Sequence, residues 1–154
     1  MPPQWPPMFT DFAAWSAEQG ALLRRGADGE PINEEVDWGN VIEEIESWGR
    51  SQQNELANGI RTVLEHLLRL DASPANDPRP GWRTTIERSR AEIAALLEAS
   101  PSLRPRVAAI IARELPRARK IAAAALTEFG EQPTVPLDQL GCTEAEVLGV
   151  EWAA

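Results

Sequence analysis

Residues 34–71 read EEVDWGNVIEEIESWGRSQQNELANGIRTVLEHLLRLD, and their apolar positions Val36, Ile42, Ile45, Ile60, Val63, Leu64, Leu67 and Leu68 recur by threes and fours. That spacing matches a helical turn and excludes a strand, so one long helix or two stacked ones is predicted, with Gly49, Gln52, Leu56 and Gly59 on or near the same seam. Its first half carries Glu34, Glu35, Asp37, Glu43, Glu44 and Glu46 and no base before Arg50, a distribution that suits the positive end of a helix dipole. Gly39, Gly49 and Gly59 each cost about 1 kcal/mol relative to Ala inside a helix, which predicts a bend or a close crossing near one of them.

Upstream, the first nine residues hold four prolines and are expected to form an extended arm, with one domain following over residues 10–154. Thr10 is the expected N-cap of a first helix carrying Phe12, Trp15, Gln19, Leu22 and Leu23 and stopping at Gly26. Residues 27–33 read as a loop. Downstream, ASPANDPRPG at 72–81 is a proline-rich break, after which Trp82, Ile86, Ser89, Ile93, Leu96 and Leu97 form a third amphipathic helix. Ser100 is expected to cap a long fourth helix running from Pro101 to the Gly130 stop, its stripe including Ile121 and Phe129 and its line kinked at Pro116. Thr143 and Glu146 make a capping box before Val147, Leu148 and Val150. With no sustained period-two alternation, the fold class is all-α: an antiparallel bundle of about four main helices plus a short C-terminal one.

Whole-chain chemistry narrows the function classes. Twenty-four acidic against 15 basic side chains give a formal charge of -9, which repels phosphate backbones, so no nucleic-acid partner is expected. No uncharged run approaches the roughly 18 residues of a membrane span, and no targeting segment is recognisable, so no membrane partner and a cytoplasmic location are expected. The single cysteine, Cys142, offers no internal disulfide and has no basic neighbour to make it a nucleophile. One His, no Tyr and no glycine-rich loop leave little material for catalysis, and no cofactor is expected.

The acidic block is the first candidate site. Steps of about 100° place Glu43 and Glu44 on the outside of the helix and Glu46 on a flank near Gln53, so Glu46 alone is expected to be partly buried. Glu46 with Glu35 or a group from another helix could hold magnesium or calcium, whereas the commoner reading is an i,i+4 pair of Glu46 with Arg50. His66 falls on the opposite flank, beside Trp48 and Gly59. The residue three before it is Val63, which excludes a bundle di-iron motif and leaves a hydrogen bond to a backbone or carboxylate as its expected role. Trp15 and Trp82 lie on apolar stripes and are expected in the core. Trp38, Trp48 and Trp152 mark an expected interaction surface. Bases gather at Arg79, Arg83, Arg88 and Arg90 and at Arg113, Arg117, Arg119 and Lys120, apart from the acidic block and the acidic tail. They can be satisfied internally or steer association.

Asp11, Phe12 and Trp15 with Gln19, Leu22 and Leu23, then VIEEIE at 41–46 followed by Gly49-Arg50-Ser51, HLLR at 66–69, Trp82 with Thr85-Ile86, and SPSL at 100–103 together resemble the DUF29 family over residues 11–148. The resemblance implies a small bacterial all-α protein and imports no catalytic residue. The expected function is a non-enzymatic interaction or accessory module, self-associating as a homodimer or binding another bacterial protein. The alternative is a divalent-metal-dependent hydrolase using Glu43, Glu44 and Glu46. A homodimer interface is expected on the alanine-rich face of the fourth helix (Ala118, Ala122, Ala123, Ala125) or on the second-helix edge near Trp48.

Overall fold

The computed structural model describes residues 8–149; most of the proline arm, and the expectations for Val150 and Trp152, lie outside the described residues. The elements are α1 (Phe12–Ala27), α2 (Trp38–Ala72), α3 (Arg79–Ala99), α4 (Val107–Glu128) and α5 (Glu144–Leu148), with 3₁₀ turns at Pro101–Arg106 and Leu137–Gln139. The described residues contain no strand, and the all-α class follows. The chain divides into two compact units, up to Ser51 and from Gln52 onward, and α2 contributes to each.

In the first unit α1 starts one residue later than expected, because Asp11 accepts a hydrogen bond from the Ala14 amide at 2.9 Å and takes the capping position from Thr10. The helix closes on Arg24 and Arg25, which favour the negative end of the dipole, and Gly29 at φ 92° makes the turn beyond it. Trp15, Leu22, Ile32, Val36 and Val41 form its core, with Met8 and Leu23 packed against them. Gly26 is needed there, because a Cβ at that position would strike the Ile32 side chain. Asp37 joins the pieces. Its carboxylate accepts from Trp15 Nε1 at 3.1 Å and Asn40 Nδ2 at 2.7 Å, and its own amide donates to the buried Gln19 Oε1 at 2.8 Å.

The second helix is a single element, but it begins at Trp38, so Glu34, Glu35 and Asp37 precede it and its first turn contains no acid. The dipole argument for those residues is therefore replaced by local pairing. Arg25 binds Glu30 at 2.6 Å and Glu35 at 3.2 Å.

In the second unit Leu56, Ile60, Val63, Leu64 and Leu68 of α2 are fully buried, the spacing expected from the sequence. They share one core with Ile86 and Ile93 of α3, Val107, Ile110, Ile111, Ala118 and Ala122 of α4, and Val147 and Leu148 of α5. Pro101 and Pro105 give six residues of 3₁₀ turn where one continuous helix was expected, and the Ser100 hydroxyl donates to Gln52 Oε1 at 2.8 Å in place of capping. Pro116 lies inside α4, which nevertheless runs as one element. The capping box is present: Thr143 Oγ1 accepts from the Glu146 amide at 3.2 Å, and Glu146 accepts from the Thr143 amide at 2.6 Å.

Three apolar assignments are corrected. Trp82 is half-buried outside the core cluster, and Ile121 and Phe129 are exposed, because α4 turns only its Val107–Ile111–Ala118–Ala122 side toward α2 and α3. Leu64→Ala is expected to cost about 2–5 kcal/mol in urea denaturation, the range for a cavity in a closed core, whereas Ile45→Ala, at an exposed site, is expected to cost less than about 0.5 kcal/mol.

Candidate functional site

The first part of α2 carries apolar side chains that its own unit leaves in water. Ile42, Ile45 and Trp48 are 52%, 67% and 72% exposed, and Trp38, whose Nε1 donates to Asn33 O at 3.0 Å, is 40% exposed. Stepping about 100° per residue, Ile42 and Ile45 lie within about 60° of the direction of Ile60, so the seam read from the sequence is geometrically continuous. Their expected burial is overturned for a different reason. The first unit builds its core on Val41, about 100° around the helix from Ile42, and that leaves the seam itself outside. Trp38 and Trp48 are accessible, as their places at a helix start and edge predict.

The acidic block divides by the same geometry. Glu44, three residues after the buried Val41 and hence on its side of the helix, is half-buried, while Glu46 is exposed, the reverse of the expected pattern. Glu43 and Glu46 both face Arg50, at 2.7 Å and 3.7 Å, in an exposed cluster of the i,i+4 kind anticipated for Glu46. Such pairs contribute at most about 1 kcal/mol. Among the described residues no group of three or more His, Cys, Asp or Glu is placed to hold a metal ion.

His66 belongs to the second unit and uses Nδ1–H to donate to Thr62 O at 2.8 Å, one turn back on its own helix. Four of the eight bases singled out in the sequence are engaged within their unit: Arg90 binds Glu87 at 2.6 Å and the Val147 carbonyl at 3.3 Å, Arg119 Nε donates to Leu140 O at 3.1 Å, and Arg113 and Arg117 face Glu114. On the alanine face of α4, Ala118 and Ala122 lie in the unit's own core, while Ala123 is exposed and Ala125 half-buried.

Two polar features were not anticipated from the sequence. Glu114 is 1% exposed and meets Arg61 of α2 at 3.3 Å, Arg113 at 3.3 Å and Arg117 at 3.2 Å. Burial pushes its carboxyl upward, but the hydrogen bond from Arg61 and the charges of Arg117 and Arg113 outweigh it and hold the group below the ordinary 4.5. The second is the Asp37 hub described above. In each case part of the set is local, Arg113 and Arg117 beside Glu114 and Asn40 beside Asp37, and only the fold reveals the distant partners Arg61, Trp15 and Gln19. Cys142 is half-buried, and desolvation, assisted by Glu146 and Asp71, pushes its thiol up to about 11. No helix among the described residues is long and apolar enough to cross a membrane.

An all-α architecture with an exposed apolar helix face and no gathered catalytic acids defines the class of protein that the geometry supports. The model of a domain of unknown function, DUF29, matches residues 9–148, and the chain belongs to that family. Neither a curated protein nor a solved structure matches it.

Because the native pKa of Glu114 is depressed, its stabilising effect is complete above the unfolded value and is lost as pH falls through the folded one. Between about pH 5 and pH 3 the wild type should therefore lose unfolding free energy more steeply than Glu114→Gln, which at neutral pH is expected to be about 1–3 kcal/mol less stable in urea titrations. Cys142 should react with a disulfide reagent at mildly alkaline pH about a hundredfold more slowly than an ordinary thiol, a rate read directly by absorbance.

Proposed function

We propose that this protein is a non-enzymatic bacterial interaction module that self-associates through the exposed face of α2. The observation that carries the reading is the group Ile42, Ile45 and Trp48 on α2 of the first unit, 52–72% exposed, with Ile42 and Ile45 on the seam read from the sequence and Trp48 on its flank. Burial of large apolar side chains drives association, and contiguous apolar surface on a folded protein marks where it occurs.

Self-complementarity of the apolar face favours a second copy over an unrelated partner. In an antiparallel pairing with its two-fold axis between residues 46 and 47, Ile45 of one chain falls opposite Trp48 of the other. The same contact is then made twice, the self-complementarity that a two-fold interface requires. Glu43 and Arg50 meet at 2.7 Å within one helix, on the side away from Ile45 and Trp48, so this pair stays intact when the apolar face is covered.

Sedimentation equilibrium at micromolar concentration is expected to give twice the 16.9 kDa chain mass for the wild type and the chain mass itself for Ile45→Lys, with unchanged helical circular dichroism in both. A wild type at the single-chain mass throughout that range overturns self-association. Retention of the dimer by Ile45→Lys places the interface elsewhere.

A further inference from the structure

A cleft of about 490 Å³ opens in the second unit where the α2–α3 connection meets the end of α4. That volume lies within the usual range for small-molecule sites, about 300–1,000 Å³. We propose that it binds a free α-amino acid with an apolar side chain, the carboxylate held by Arg69, the ammonium by Asp77, and the side chain between Trp82 and Phe129.

Arg69 comes first because its state is otherwise costly. It lines the cleft, forms no ion pair or side-chain hydrogen bond among the described residues, and its Nε is sealed from solvent without an acceptor. An arginine at the wall of a cleft with no paired counter-charge is the group to which a ligand carboxylate binds through the terminal guanidinium nitrogens, the sealed Nε lying out of a ligand's reach. The other bases of this unit that face carboxylates are already engaged, as Arg61, Arg90, Arg104 and Arg117 show.

The remaining charges narrow the ligand further. Asp77 and Glu131 also line the cleft, so one guanidinium stands against two carboxylates, and a simple anion would meet net repulsion. Glu131 is partly committed, its Oε2 accepting from the buried Ser73 hydroxyl at 2.7 Å, whereas Asp77 is exposed and pairs with no described residue. A molecule bearing both signs satisfies Arg69 and Asp77 together. A polypeptide terminus offers only one of them, and so the free amino acid is the source that fits.

The apolar part of the ligand follows from the walls. Trp82 is half-buried outside the core, and Phe129 is 79% exposed although it borders the cleft, so neither ring contributes its full area to folding. The frame is fixed in advance: Thr134 N donates to Ala72 O at 2.7 Å and Ala75 N to Ser73 Oγ at 3.1 Å, tying both sides of the opening to the end of α2. Preorganisation of this kind lowers the ordering cost of binding.

The test is a titration of the full chain with L-phenylalanine, followed by the indole ¹H–¹⁵N resonances. Saturable shifts that include Trp82 are expected below about 10 mM, with 3-phenylpropionate and 2-phenylethylamine, each lacking one charge, at least about tenfold weaker. Arg69→Met, which keeps the apolar stem, is expected to abolish the shifts. Asp77→Asn and Phe129→Ala, both at exposed sites that leave the fold intact, are expected to weaken binding several-fold. Absence of saturation with L-phenylalanine and L-leucine overturns the proposal. So does binding that Asp77→Asn and Phe129→Ala leave unchanged, or 3-phenylpropionate binding as tightly as the amino acid.

Discussion

The burial of one stripe of α2 is the constraint on which the second unit depends. Leu56, Ile60, Val63, Leu64 and Leu68 are completely enclosed, and every other element of that unit contributes at least one residue to the same cluster. Full burial of such side chains contributes about 1.5–3 kcal/mol each relative to exposure, so five adjacent ones outweigh any polar contact in the unit. The close approach of α3 follows from the same stripe. Gly59 sits among these residues, and a Cβ there would come within 3.0 Å of Ile93 Cγ1. The helix penalty of glycine is accepted at that position because it permits contact, which is the crossing anticipated near one of the three glycines.

Polar contacts fix orientation where the apolar stripe does not. Glu114 is buried on α4, and a carboxylate in that position must be matched by charge; Arg61 supplies it across from α2 and so sets how α4 faces α2. Asp37 has the corresponding role in the first unit, where a single carboxylate engages Trp15 of α1 and Asn40 of α2. Each is a positional device, and removal of one partner leaves a buried polar group unmatched, which is the expensive direction of the change.

Helix existence was legible from periodicity because the period reports the face of a helix directly, and the Thr143–Glu146 box was legible because all its parts lie within one turn. What periodicity cannot report is which neighbour covers a face. Ile42 and Ile45 share the direction of Ile60, yet the first unit packs on Val41, and the same shift of about 100° exchanged the environments of Glu44 and Glu46. Proline chemistry is legible in kind but not in placement: Pro105 lies within the 3₁₀ segment that stands where the fourth helix was expected to start, while Pro116 lies inside α4. Arg113 and Arg117 are within one turn of Glu114 and so legible as its partners, whereas the pairing with Arg61, 53 residues away, and the orphaned Nε of Arg69 depend on the fold, and nothing in local spacing distinguishes that paired arginine from the unpaired one.

Self-association of a chain with a formal charge of -9 must overcome mutual repulsion, and the balance is set by distance. At physiological ionic strength exposed charges more than about 8 Å apart are largely screened, so most of the net charge of a second copy is weakly felt at the α2 face. The local charges there are mixed, with Arg50 among Glu43 and Glu46, and the nearest acid on the core-facing side, Glu44, is half-buried. What remains at short range is the apolar row, whose removal from water is insensitive to such screening. Added salt therefore acts on this face chiefly by reducing the long-range repulsion. The apolar term is the one that salt does not offset, and in the proposed association Ile45 and Trp48 are the side chains that would supply it.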